Sequence, residues 1–113
     1  MFELSLTRKR FPHLQMLLSI GGWTYSSYIS DAVQTSRRRE ALAKSIVKWT
    51  LDFDMDGIDI DWEFPVLGGA DGGHKSPDDC VNLVLFLETM YAQFQALATN
   101  KHYTYDLFRL MCF

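Results

Sequence analysis

The stretch that most restricts the fold reads Met55-Asp56-Gly57-Ile58-Asp59-Ile60-Asp61-Trp62-Glu63-Phe64-Pro65. Taken alternately, Ile58, Ile60 and Trp62 fall on one side, and Asp59, Asp61 and Glu63 on the other. Period two is the pattern of a β-strand, whose successive side chains point to opposite faces. The β-branched isoleucines suit a strand, and Gly57 and Pro65 mark its ends. Three acids at i, i+2 and i+4 form a line about 13 Å long, at roughly 3.3 Å per residue. Like charges this close cannot all ionise comfortably in a poorly hydrated site. Acid pairs whose pKa values are driven apart are how proteins make general acids and bases. A solvated acidic strand end is the plainer reading, but it leaves the apolar alternate face without a purpose.

The neighbouring segments predict a parallel sheet. Residues 14–20, Leu-Gln-Met-Leu-Leu-Ser-Ile, are almost wholly apolar and end at Gly21-Gly22, which fits a strand buried on both faces. Thr35 or Ser36 can cap a helix running to about Trp49, with Leu42, Ala43, Ile46, Val47 and Thr50 as its core stripe. Strand, helix, strand is the βαβ order. Trp23-Thr24-Tyr25-Ser26-Ser27-Tyr28 reads as a loop, with Tyr25 and Tyr28 packed against the body. Residues 66–75, rich in glycine, predict a flexible loop with His74 facing solvent. Their glycines lack the spacing and context of a phosphate loop. Ser76-Pro77-Asp78-Asp79 is a helix start, and Val81, Val84, Leu87, Met90, Tyr91, Phe94 and Leu97 continue it as an apolar stripe to about Ala98. Residues 1–10 read as a helix end or frayed start, stopped by Pro12.

The spacing Asp56-x-x-Asp59-x-Asp61-x-Glu63 resembles the active-site strand of glycoside hydrolase family 18, the chitinases and their relatives. Ser19-Ile20-Gly21-Gly22-Trp23 resembles that family's other signature, in the right order along the chain. The resemblance covers roughly residues 10–102 and implies an α/β fold, part of a (β/α)₈ barrel. With 113 residues, against about 250 for a whole barrel, the chain is expected to hold about strands three and four with their helices. Residues 1–102 would then be a partial catalytic domain. Residues 103–113 would be a divergent tail, since residues 105–113 contain no β-branched residue.

The resemblance also implies roles. Glu63, last in the acidic line where a barrel strand opens onto its active face, would protonate the glycosidic oxygen and then act as base toward water. A general acid must hold its proton near neutral pH, and Asp61 supplies the like charge that favours this. Asp61 would orient the substrate's N-acetyl group, whose carbonyl oxygen is the nucleophile, and Asp59 would set the charge of Asp61. Asp56, on the opposite parity, reads as structural. Ser19 reads as a hydrogen-bond donor to the acids or simply as a satisfied core serine. Gly21 and Gly22 would support the site, and Trp23 and Phe64 would contact substrate. The implied substrate is chitin or an N-acetylglucosamine oligosaccharide, with no cofactor and no metal. The alternatives are a non-catalytic carbohydrate-binding relative, which typically lacks the acid glutamate, and an inactive truncated product.

Bulk properties exclude other classes. A net charge of −3 gives no footprint for nucleic acid or an anionic membrane, and Arg37-Arg38-Arg39 reads as a solvated helix start. No apolar run is long enough to span a membrane. Residues 1–10 lack the order of a signal peptide, although the resemblance implies an extracellular protein. Cys80 and Cys112 fix no redox compartment. Asp52-x-Asp54-x-Asp56-Gly57 with Glu63 matches an EF-hand spacing. Asp59 at the usually apolar eighth position, and Pro65 beyond the loop, argue against it.

Overall fold

The computed structural model of the chain describes residues 2–70 and 72–100. Its elements run α1 (Phe2–Arg10), β1 (Leu17–Gly21), α2 (Gly22–Tyr25), α3 (Ile29–Val33), α4 (Ser36–Asp52), β2 (Gly57–Asp61) and α5 (Asp79–Asn100). β1 and β2 are parallel neighbours, in register from Leu17 opposite Gly57 to Gly21 opposite Asp61. The strand–helix–strand unit expected from the sequence is formed, with α4 in the crossover that parallel pairing requires.

The core lies against one face of this pair. Ile58, Ile60 and Trp62 are buried with Ala43, Ile46 and Val47 of α4 and Phe86, Met90 and Phe94 of α5, and Leu18 and Ile20 of β1 pack on the same cluster. The other face carries Ser19, Asp59 and Asp61. The expectation that β1 is buried on both faces is not met, because Leu17 and Ser19 are exposed. Helices cover only one side of the sheet among the described residues.

Thr35 caps α4, its hydroxyl accepting from Arg38 N–H at 3.3 Å. The helix continues to Asp52, and Ala43, Ile46, Val47 and Thr50 are its buried residues. Arg37 and Arg38 are exposed, as a solvated start requires. Arg39 differs: it donates to the Val33 carbonyl at 2.7 Å and to Asn82 Oδ1 at 3.2 Å, joining α3 and α5 to α4.

Two further expectations need correction. Of residues 23–28, expected as a loop, residues 23–25 belong to the short helix α2 and only 26–28 are irregular before α3 begins; Tyr25, at 82% exposure, does not pack on the body, nor does Tyr28 bury itself. On α5 the buried residues are Asp79, Asn82, Leu83, Phe86, Met90 and Phe94, whereas Val81, Val84 and Tyr91 are exposed. The helix is apolar on more than one face, so a stripe counted from Val81 merges two of them. His74 is exposed but paired, its Nδ1 against Asp31 Oδ2 and its ring edge-on to Tyr28 with centroids 5.0 Å apart. The loop carrying it has no regular structure yet is tied down, through Ala70 N–H to the Trp23 carbonyl at 3.3 Å and His74 N–H to the Ser27 carbonyl at 2.9 Å. Asp71, His102 and the divergent tail 103–113 lie outside the described residues.

Candidate active site

The site forms where both strands end. Gly21 has φ +108°, and a Cβ there would sit 2.9 Å from the Asp61 carbonyl carbon. A side chain cannot fit in that gap, so glycine is what lets β1 reach the end of β2. Gly22, at φ +81°, leaves its position open beside the Asp61 carboxylate, where a Cβ would lie 3.7 Å from Oδ2. Ser19, opposite Asp59 in the register, donates its hydroxyl to Asp59 Oδ2 at 2.9 Å. The hydrogen-bond reading of Ser19 is therefore the observed one. The second oxygen, Asp59 Oδ1, is buried and has no partner among the described residues. Asp59, Asp61 and Glu63 are all half-buried, neither solvated like a free strand end nor sealed in the core.

Asp56 lies at the opposite end of β2. Arg8 Nη1 donates to its two oxygens at 3.0 and 3.1 Å, and Met16 N–H donates to Oδ2 at 2.8 Å. Its own N–H returns a 2.8 Å bond to the Met16 carbonyl. Burial disfavours the Asp56 carboxylate, but the Arg8 and Met16 hydrogen bonds and the guanidinium charge outweigh it and hold the carboxyl below its ordinary value. The same hydrogen bond from Arg8 to Asp56 raises the arginine's pKa, against a smaller opposing effect of burial. Asp52 pairs with Lys48, and Asp54 with Arg8. Since residues 57–61 are a strand, Asp54 and Asp56 stand at the other end of it from Glu63, and the EF-hand arrangement does not form.

Trp23 is 57% exposed at the mouth of the site, and its carbonyl anchors Ala70. Phe64 is half-buried, and its main chain pairs with Gly68 in both directions at 3.1 and 3.0 Å. Gly69 packs against the Glu63 carbonyl, where a Cβ would come within 3.0 Å.

Two residues in this region escape the sequence reading. Ser26, only 2% exposed, accepts from Glu63 N–H at 3.0 Å and offers its proton to the carbonyls of Gly22 (2.8 Å) and Asp61 (3.2 Å). Nothing in Tyr25-Ser26-Ser27 separates it from its neighbour. Asp79 is fully buried, accepting from Ser30 Oγ at 2.6 Å, Val66 N–H at 3.0 Å and Ser76 N–H at 2.9 Å. Its signal is present in the sequence: Ser76-x-x-Asp79 is a capping box, and Asp78 N–H does reach Ser76 Oγ at 3.2 Å. Together Ser26 and Asp79 hold the main chain on both sides of Glu63-Phe64-Pro65.

The likenesses to known proteins agree with this arrangement. The model of the glycosyl hydrolases family 18 matches residues 2–108. Chitinase A1 of Niallia circulans is 38% identical over 94 residues, which is 83% of this chain and 13% of that enzyme. Among solved structures, chitinase ChiA74 from Bacillus thuringiensis superposes with a TM-score of 0.86 at 31% identity, covering 93% of this chain and 17% of that one. A family 18 N-acetylglucosaminidase from Paenibacillus barengoltzii superposes with a TM-score of 0.80 at 34% identity, covering 92% and 30%. The chain thus spans less than a third of each of these relatives. With its two strands, its acidic row and a match over nearly its whole length, the chain belongs to glycosyl hydrolases family 18.

Proposed function

We propose that this chain carries the acid–base strand of an enzyme that hydrolyses β-1,4 bonds in chitin or N-acetylglucosamine oligomers, outside the cell, and that β1 and β2 are strands three and four of a (β/α)₈ barrel. Residues 1–102 would be the catalytic portion and 103–113 a divergent tail. The observation that carries the reading is half-buried Asp59 and Asp61 on the face of β2 away from the core, with half-buried Glu63 two residues beyond the end of the strand.

Glu63 donates its proton to the glycosidic oxygen as the C1–O bond breaks. The carbonyl oxygen of the substrate's own acetamido group attacks C1 and gives an oxazolinium ion. Asp61 holds that acetamido group and balances the positive charge, while Asp59, bonded to Ser19 on one oxygen only, adjusts the charge on Asp61. Glu63, now a carboxylate, takes a proton from the water that attacks C1, and the anomeric configuration is retained. Family 18 is an exception to the two-carboxylate scheme for this reason. Trp23 and Phe64 line the sugar path. The presence of Glu63 favours an enzyme over a sugar-binding relative.

The test uses a chimera in which residues 2–100 replace the superposing segment of chitinase ChiA74. It is expected to cleave a fluorogenic N-acetylglucosamine oligomer and to leave the matching glucose oligomer, which lacks the acetamido nucleophile, intact. Equal cleavage of both would overturn substrate assistance, and a folded chimera that cleaves neither would overturn the hydrolase reading.

A further inference from the structure

We infer that Ser26 is a positioning residue, whose hydroxyl extends the sheet by one side-chain rung and so fixes the main chain that presents Glu63; its bearing on catalysis rests on the function proposed above. In a parallel ladder, a residue facing position i donates its N–H to the carbonyl of i−1 and accepts the N–H of i+1. The last rung in the register is Gly21 opposite Asp61. The next would face Trp62, but Gly22 has already turned into α2 and cannot supply it. The Ser26 hydroxyl meets both groups that such a rung would satisfy. It accepts from Glu63 N–H at 3.0 Å and reaches the Asp61 carbonyl at 3.2 Å. Its single proton is shared between that carbonyl and the Gly22 carbonyl, four residues back at 2.8 Å.

Two features make this more than a helical serine bonding to its own turn. The rung brackets Trp62, which is buried in the core, so the peptide units on either side of it are held to a fixed point. Ser26 is also sealed from solvent, and a Cβ on Gly69 would lie 3.7 Å from the Ser26 Cβ, so other groups cannot easily take over the Glu63 N–H. Ser27 is an internal control. It is equally part of the buried wall, but its hydroxyl has no partner among the described residues.

The experiment uses the ChiA74 chimera carrying residues 2–100 and compares the unaltered segment with Ser26→Ala, Ser26→Cys and Ser27→Ala by amide hydrogen exchange at Glu63 and by turnover of the fluorogenic N-acetylglucosamine oligomer. Exchange at Glu63 is expected to quicken by ~10-fold or more in Ser26→Ala, less in Ser26→Cys, and not in Ser27→Ala. Turnover is expected to lose ~10- to 100-fold in kcat with KM held, as a small displacement of a reacting group does. If Ser26→Ala does not fold, Ser26→Cys, of similar shape but weak bonding, carries the comparison. Unchanged exchange at Glu63, wild-type exchange as fast as in an unfolded chain, or kcat unaffected by Ser26→Ala in an active protein would each overturn the inference. Absence of turnover by the folded, unaltered chimera overturns the proposed function, and the exchange result then decides the role of Ser26 independently.

Discussion

Four acidic side chains in one eight-residue stretch have been given different work by parity and position. Asp59 and Asp61 share the face of β2 away from the core and Glu63 follows two residues beyond the strand, while Asp56 binds Arg8 and the Met16 N–H at the other end. The parity split was legible from period two, whereas Ser19 beside the acids was one of two open readings and came only through the family resemblance. Ser26 was not separable from ordinary polar residues, and Asp79 was legible only as part of a helix start, because their hold on residues 61–66 arises from main-chain groups far away in sequence that only folding brings to them. A pH prediction belongs here. The folded Asp56 carboxyl titrates below its unfolded value of about 3.9, so its contribution to stability is complete above that pH and is lost as pH falls through the lower folded value. Asp56→Asn is therefore expected to cost about 1 kcal/mol at pH 7, the modest figure reflecting a partly exposed pair. It should also flatten the loss of stability below pH 4 in urea melts. Equal acid limbs in the two proteins would contradict the assignment.

Elements follow from the sequence where one rule acts alone and deviate where two compete. α4 has one apolar stripe and a Thr35 cap, and its buried residues were read correctly apart from the partly covered Leu42. α5 offers apolar residues on several faces, so periodicity could not choose the phase; packing against β2 and α4 chose Phe86, Met90 and Phe94. β1 reads as a fully buried strand because Leu17 and Leu18 are both apolar, yet only Leu18 meets the core. The junction of β1 with β2 depends on Gly21. Replacing it with alanine forces a side chain into a left-handed conformation and against the Asp61 main chain. Gly21→Ala is expected to cost on the order of 3 kcal/mol, read from chemical denaturation, whereas Gly72→Ala, with nothing near its Cβ, should cost only the backbone part. A smaller loss at Gly21 than at Gly72 would show that the strands do not meet this closely.

At the scale of the molecule, one side of the sheet is covered and the other is a polar face with the exposed Leu17 beside it, and α5 presents Val81, Val84 and Tyr91 outward. Apolar surface of this extent usually meets a partner surface. In the barrel proposed here, adjoining strands and helices would cover it. The chain by itself is expected to bind a hydrophobic dye such as ANS and to melt without a sharp transition; a cooperative melt with no dye binding would contradict this. The βαβ unit itself was legible in the sequence, through strand, helix and strand patterns of different period. The barrel proposed around it was available only through the family resemblance, since no pattern within these 113 residues specifies further strands.

The central claim is that Glu63 is the acid and base of a glycoside hydrolase. The most direct measurement is turnover of a fluorogenic N-acetylglucosamine oligomer by the ChiA74 chimera carrying residues 2–100, with Glu63 and with Glu63→Gln, at matched folded concentration. The amide keeps the shape of the side chain but cannot give or take the proton, so kcat is expected to fall by ~100- to 10,000-fold. Turnover that survives in Glu63→Gln would contradict the assignment of Glu63 and, with it, the mechanism.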